Sequence, residues 1–508
     1  MKITQIQVIT AVALVLFALL MVSVGVISYR KSKTIDGFLL GGRNVGPVVT
    51  AFAYGTSYFS AVIFVGYAGK HGWDIGLGSI WIGLGNAFLG CLLAWLILAK
   101  PTRRITHRLK SKTMPEFFEG RYDSKAMKII SALIIFVFLV PYSAAVYKGL
   151  GAVFNVIFPG LSVNWCMLII AVLTAVYLVL GGYLATVYTD FIQGIIMIAG
   201  IILMVFSVLR FLGANGVQNV FSALGAIKDN GDGIDGSQLT NIFGGGAFKF
   251  LCTNILLTSF GTWGLPQMVT KYYAIKDDNA IKHATWISTL FCLTIGCGAY
   301  LTGSVSRLVL KNTLPEGGKD FVIPTLLITA LGSNGFTTVI LAVVMILLLS
   351  ASMSTLASVV LSSASAVSVD LVPEIKKNIN ALVQMRLTRI LCLSFVALSY
   401  IFATLNISII VNIMSFSWGV VSGAFIGPYI VGIFSRRAYK ISGICGIFAG
   451  LLSIFVPTVN ISYTRGYSAA IALAPQMGVF AMLLSLIATF LISRFEPPLP
   501  KEKKEFLF

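Results

Sequence analysis

The stretch VTAFAYGTSYFSA, Val49 to Ala61, lies inside an apolar segment long enough to cross a bilayer. Gly55, Thr56, Ser57 and Ser60 crowd small and hydroxylated residues into about a turn and a half of helix, flanked by Phe52, Tyr54, Tyr58 and Phe59. Such a patch can leave the helical path. Carbonyls freed within hydrocarbon need partners, so irregular backbone is tolerated there only where it is buried in protein or lines a cavity. A discontinuous helix that offers its carbonyls to a cation is the working part of many secondary transporters. The stretch therefore reads as one half of a site for an ion and a solute.

The rest of the chain supplies the membrane setting. Of 508 residues, 57% are hydrophobic and only 11% charged, and apolar runs long enough to span a bilayer recur from end to end. This composition predicts a polytopic, all-α membrane protein without a soluble domain of useful size. The net charge of +19 would suit a nucleic-acid partner, but most of the 37 Lys and Arg fall in loops and tails of one sidedness, the positive-inside pattern. The seven cysteines lie singly in or beside apolar segments and the three histidines are scattered, so they read as packing residues rather than metal ligands. The first apolar run, 6–28, is too long for a signal peptide and carries its basic cluster after the run, which marks a retained span.

About thirteen spans are predicted. They lie at 6–28, 46–69, 75–99, 128–154, 164–181, 188–209, 248–270, 284–306, 336–368, 388–404, 408–434, 441–461 and 470–493. Arg30, Lys31 and Lys33 place the far end of the first span in the cytoplasm and the N-terminus outside, and the C-terminal tail is then cytoplasmic. Lys271, Lys276 and Lys282 are expected in a cytoplasmic loop after the seventh span. The division that follows is a first helix and loop (1–45), a five-helix repeat (46–210), an extracellular loop (211–247), a second five-helix repeat (248–434), and two further helices with the tail (435–508). The run DNGDGID (229–235) superficially matches a calcium loop but lacks its third-position ligand and closing Glu, so it reads as a solvated loop. VIPTLLITAL (322–331) is too short to span and is expected at the interface. Spans two and seven share an aromatic-Gly-Thr triplet, Tyr54-Gly55-Thr56 and Phe260-Gly261-Thr262, with Pro266 close behind the second. Interrupted segments at corresponding positions of two halves point to a transporter site.

Span nine contains LLLSASMSTLASVVLSSASA (347–366), in which Ala351, Ser354, Thr355 and Ser358 share one helix face. Hydroxyl and carbonyl oxygens suit a hard monovalent cation; equally, Ser and Ala at such spacing allow close helix packing. Asp190 is the acid most plausibly drawn into the membrane, where an ionisable group is a functional candidate, although Thr189-Asp190 also sits where the sixth span would begin and suits a helix start. Lys148 near the outer end of span four either neutralises a substrate carboxylate or snorkels to the headgroups.

At this point the chain resembles the sodium:solute symporters, which include proline, pantothenate, sialic acid and glucose carriers. The resemblance rests on FLLGGRNVGPVVTAFA (38–53), TMPEFFEGRY (113–122), LGGYLATVYTDFIQG (180–194), GLPQMVTKYYAIKD (264–277) and MSTLASVVLSSASAVSVDL (353–371). It implies the five-plus-five inverted-repeat fold of the leucine-type transporters, with Na+ as the coupling ion. The implied main sodium site comprises the backbone carbonyls of Thr56, Phe59 and Ala351 and the hydroxyls of Ser354 and Thr355. Members with a second cation use an acid at the position of Asp190 with three hydroxyls of the ninth span; Ser354 and Ser358 match, and Ala357 stands where the third would be. Tyr142, Thr258, Thr262 and Pro266 fall at positions that bind or line the solute in proline-type members. Those carriers have an acid where this chain has Tyr58 and a Trp where it has Thr258, which counts against proline.

The expectation is a non-enzymatic, sodium-coupled importer of a small organic solute, a carboxylate or amino acid, working by alternating access as a monomer in the cell membrane. Its rivals are a proton-coupled carrier using Asp190 and a membrane sensor or channel of the same architecture. No cluster of His, Asp, Glu or Cys suggests bond-making chemistry.

Overall fold

The decisive stretch does break. In the computed structural model, which describes residues 5–29, 35–213, 217–332, 335–376, 379–405, 407–437 and 439–507, α1 (Gln5–Tyr29) is followed by α2 (Pro47–Tyr58). The basic residues Arg30, Lys31, Lys33 and Lys377 lie outside the described residues. Phe59 leaves the helix with extended backbone (φ −103°, ψ 116°), its N–H still donating to Gly55 O at 3.3 Å. Ser60 then starts a new helix: its Oγ accepts the Val62 N–H at 3.2 Å and its carbonyl accepts Ile63 and Phe64 N–H at 2.9 and 3.2 Å. A side chain that satisfies the first free donors is what lets a helix begin there. The resulting α3 (residues 62–75) is π-wound over Val62–Ala68. Every residue from Ala53 to Ala68 is buried, as irregular backbone at membrane depth requires.

A second break has the same plan. After α4 (residues 80–108), α5 (Met114–Tyr122), α6 (Lys125–Ile157) and α7 (Val163–Phe211) comes α8 (Phe248–Phe260). It ends in a tight 3₁₀ turn at Gly261–Gly264. Leu265 is extended (φ −82°, ψ 123°), and α9 (Pro266–Ala274) begins on a proline, whose missing N–H costs nothing at the first helical position. The linkers of the two broken segments meet: Val45 N–H donates to Ala274 O at 3.2 Å and Lys276 N–H to Val45 O at 3.1 Å.

The remaining elements are α10 (Asp278–Ser304), α11 (Val322–Leu331), α12 (Gly335–Ser365), α13 (Ala381–Thr404), α14 (Ile410–Phe434), α15 (Lys440–Arg465) and α16 (Ala474–Phe495). α2 packs on α7, α10 and α12; α6 packs on α7, α12, α13 and α14; α16 closes the bundle against α14 and α15. The stretch 322–331 forms the short helix α11, which lies on α3, α6 and α7.

Among the described residues, ten helices are long and apolar enough to cross a membrane. Pro47–Tyr58, Phe248–Phe260 and Pro266–Ala274 fall short of that length because each is one side of a break. The segments read as spans five and six meet with no loop between them. Gly182, at φ 58° and ψ −151°, turns the chain inside α7, a backbone geometry that favours glycine. Large apolar side chains such as Leu16, Phe206, Trp286 and Leu290 are exposed on the outer faces of the bundle, as lipid contact demands. The 229–235 run holds itself through Asp229, which accepts Gly231 and Gly233 N–H, and through Asp232, 2.6 Å from Arg307.

Candidate functional site

α12 passes the break between α2 and α3 with its small, hydroxylated face inward. Ser352 Oγ accepts the Ala61 N–H at 2.9 Å, which pins the start of α3 to α12. Two residues on, Ser354 Oγ lies 3.0 Å from both Thr56 O and Ala351 O. Thr355 Oγ1 lies 3.0 Å from Ala351 O and 3.4 Å from the carbonyls of Thr56 and Ser57. Two hydroxyl protons thus face three carbonyl oxygens in a fully buried space, so acceptor capacity exceeds donor capacity. The donor set is all oxygen, as a hard monovalent ion prefers. Thr56, Ala351, Ser354 and Thr355 come together in this way. Phe59, buried and extended, occupies the break itself.

A second group adjoins the first. Ser57 Oγ and Ser358 Oγ are 3.0 Å apart, Lys271 Nζ donates to Ser358 Oγ at 3.2 Å, and the same ammonium is 3.6 Å from Asp190 Oδ2. The side chains of Lys271 and Asp190 are 1% and 0% exposed. Lys271 therefore does not lie in a loop, and Lys282 lies near the start of α10, which leaves only Lys276 of the three in the connection. α9 continues as regular helix past the Pro266 break, which carries Lys271 into the protein against α7 and α12. Asp190 lies about two turns past the Gly182 break, inside the helix rather than at its start, and its burial is offset by the ammonium. A cleft lined by Lys112, Thr113, Tyr183, Gln267, Lys271 and Ser358 reaches Lys271 from the loop before α5.

The residues predicted for the solute surround the two breaks. Tyr58 OH donates to Thr258 O at 2.7 Å, an approach that Gly90 permits, since a Cβ there would stand 2.1 Å from that hydroxyl. Thr258 Oγ1 donates to Asn86 Oδ1 at 2.7 Å, and Thr262 Oγ1 to Ser259 O at 2.8 Å. The Tyr142 and Tyr58 rings lie 6.0 and 6.5 Å from Trp418, and Pro266 begins α9 beside the cleft. The buried Gln267 amide and Trp418 indole N–H both stand within reach of the Tyr142 hydroxyl, which groups three polar side chains beside the breaks.

Lys148 sits apart from these groups. Its Nζ donates to Ser408 O at 2.5 Å and lies 3.7 Å from Asp320, whose carboxylate accepts the Ile410 N–H. This ties α6 to the start of α14 across the segment before α11. Burial pushes the Asp320 carboxyl above the usual carboxylate range, against the pull of the Lys148 and Lys70 ammonium groups. A group that binds its proton more readily when enclosed favours the enclosed form as pH falls. Acidification is thus expected to shift the protein toward the arrangement with this tie closed, read by spin-label distances between α6 and α14. Asp320→Asn should flatten the pH response, and opening on acidification would contradict the sign.

Sequence reasoning missed Lys271, Gln267 and Trp418 as site residues. The signal for Lys271 was Asp190 itself, since an acid within the membrane calls for a partner. Gln267 follows Pro266 in the GLPQ motif, whereas Trp418 lies in a helix with no distinguishing spacing.

The sodium:solute symporter family model matches residues 38–450. The chain is similar to the osmoregulated proline transporter OpuE of Bacillus subtilis (strain 168), 27% identical over 493 residues, covering 95% of this chain and 94% of the relative. It is also similar to the sodium/proline symporter of Escherichia coli (strain K12), 26% identical over 445 residues and covering 86% and 85%. A solved Na+-coupled sialic acid symporter, in a substrate-bound outward-open state, superposes with a TM-score of 0.77 at 17% identity, covering 96% of this chain and 98% of that one. Mhp1, a nucleobase-cation-symport-1 family transporter in a closed conformation, superposes with a TM-score of 0.57 at 14% identity, covering 94% and 98%. At these identities the structural likeness speaks for the fold alone.

Proposed function

The chain belongs to the sodium:solute symporter family, and from that premise we propose that sodium binds between the α2–α3 break and the hydroxyl face of α12. It is a multi-pass membrane protein that couples a small organic solute to sodium. The reading that fits best is import of a carboxylate or amino acid by alternating access, through two five-helix repeats of opposite orientation beginning at α2 and α8 within a thirteen-span chain. The basic end faces the cytoplasm, the N-terminus lies outside, and the monomer is the working unit. Sodium is cargo here, held by the carbonyls of Thr56, Phe59 and Ala351 and by Ser354 and Thr355. The convergence of the Ser354 and Thr355 hydroxyls on the Thr56 carbonyl carries this reading.

The solute is assigned to the space bounded by Tyr58, Tyr142, Thr258, Thr262, Pro266 and Trp418, with the Gln267 amide and Trp418 Nε1 as its polar anchors. Sodium at the neighbouring break holds both walls in one arrangement, so the solute meets a formed pocket. Lys148, engaged by Asp320, is not assigned to the solute, so the charge of the solute itself decides the energetics. At about 100 mV one inward charge gains roughly 2.3 kcal/mol. A tenfold sodium gradient adds about 1.4 kcal/mol, so one sodium concentrates a neutral or zwitterionic solute several hundredfold. A monoanion entering with one sodium moves no net charge and gains only about tenfold.

The proton-coupled alternative assigns coupling to Asp190. Uptake measured against sodium at fixed pH, and against pH at fixed sodium, separates the two. Control by sodium is expected; saturation by pH alone, with no sodium dependence, would move the assignment to Asp190.

A further inference from the structure

We infer that the basic ends of α14 and α16 form a binding site for one anionic phospholipid. Its phosphate is held by Arg436, Arg437 and Arg494, and an acyl chain lies in the groove between the two helices. α14 and α16 pack on one another. Near their C-terminal ends a groove of about 670 Å³ is walled by Ile430, Phe434, Ile487 and Phe490 and includes the three arginines. Phe434, Ile487 and Phe490 are exposed on helices apolar and long enough to cross a membrane, so the groove opens to lipid tails. The charges stand at its polar end: Arg436 and Arg437 directly follow α14, and Arg494 lies in the last turn of α16. Apolar walls that lead into a cationic mouth have the polarity order of a phospholipid, tail first and then phosphate.

Charge complementarity names the occupant. Arg436, Arg437 and Arg494 are all exposed. Arg103 and Arg104 are paired with Asp278, and Arg307 with Asp232, whereas among the described residues these three form no ion pair. The acid nearest in sequence, Glu496, is engaged elsewhere: its carboxylate accepts Tyr439 N–H at 2.7 Å and Ser442 N–H at 3.1 Å, at the start of α15. Arg494 stands over the Phe490 ring at 4.7 Å, which holds its guanidinium at the groove. Guanidinium forks match phosphate oxygens in geometry as well as charge. Other surface grooves lack this combination. One beside α1, lined by Val8, Val12 and Phe158, has no charged side chain, and one between α7 and α12 has only Arg210. Single arginines at a membrane boundary serve headgroups in general; three that converge from two helices on one apolar groove select a lipid that carries net negative charge. The same corner anchors the C-terminal segment, since Leu499 N–H donates to Arg436 O at 3.0 Å. A bound lipid therefore braces the α14–α15 connection and the tail together, and stabilises the folded protein by mass action.

Native mass spectrometry of the full chain in detergent, titrated with dioleoylphosphatidylglycerol or dioleoylphosphatidylcholine, reads the preference directly. The wild type should bind its first phosphatidylglycerol at least about tenfold more tightly than phosphatidylcholine, with a matching rise in melting temperature. Arg436→Gln/Arg437→Gln/Arg494→Gln should abolish the preference. Ile487→Trp, which fills the groove and keeps all three charges, should weaken binding of that first phosphatidylglycerol. Equal first-site affinities in the wild type overturn the inference, as does a triple variant that keeps the preference. Undiminished binding to Ile487→Trp, or protection by glycerol 3-phosphate equal to that by the lipid, would show a site for the free anion and overturn the lipid assignment. Should the triple variant fail to fold, the wild-type preference and Ile487→Trp decide.

Discussion

Ser354→Ala/Thr355→Ala should weaken sodium activation of uptake by at least about a hundredfold, because two hydroxyls that contact a bare charge contribute about 1.5–3 kcal/mol each. Both side chains are fully buried and neither takes part in the Asp190–Lys271 group, so the variant should insert and remain monodisperse. Their present partners are the carbonyls of Thr56 and Ala351, the former at the end of a helix that has already stopped. Alanine at both positions leaves those carbonyls without hydroxyl donors and leaves an ion two ligands short. Initial uptake rates against sodium concentration, at constant membrane potential, check the result. Unchanged sodium activation would show that the ion is held elsewhere.

Asp190→Asn should be the most destabilising single change in the core of the site, by roughly 3–5 kcal/mol, because it strands a buried ammonium. The compensating change is specific. Asp190→Asn/Lys271→Gln removes both charges and should recover most of the loss, since a buried pair replaced as a unit costs far less than a pair broken. Denaturation of the four proteins in one detergent gives the coupling between the positions. Additive losses would mean that the two charges act independently.

How much of this was legible beforehand depends on the kind of information each residue carries. The break at Phe59–Ser60 was readable, because small and hydroxylated residues packed into a hydrophobic run have few other uses. The face formed by Ala351, Ser354, Thr355 and Ser358 was readable from helical spacing alone. The partner of that face was not, since nothing in spacing says which helix α12 passes. Lys271 was misplaced because a lysine after an apolar run normally marks the end of a span. Here the run is interrupted at Gly261–Leu265, so the helix that carries the lysine still lies inside the protein. A turn between the fifth and sixth segments was expected after residue 181, and one glycine with positive φ, Gly182, makes it without a loop. Lys148 was read as a counter-charge or a snorkelling residue, but its partner Asp320 is far along the sequence and could be identified only in three dimensions.

The central claim is that one sodium ion touches both walls, the broken strand of backbone at Thr56–Phe59 and the hydroxyl row of α12. High-resolution cryo-electron microscopy of the protein in sodium, compared with choline as the only monovalent cation, tests it most directly. The account predicts sodium-dependent density in bonding contact with Thr56 O, Ala351 O, Ser354 Oγ and Thr355 Oγ1. Sodium-dependent density confined to Asp190, or walls separated beyond the reach of a shared ion in sodium, would contradict it.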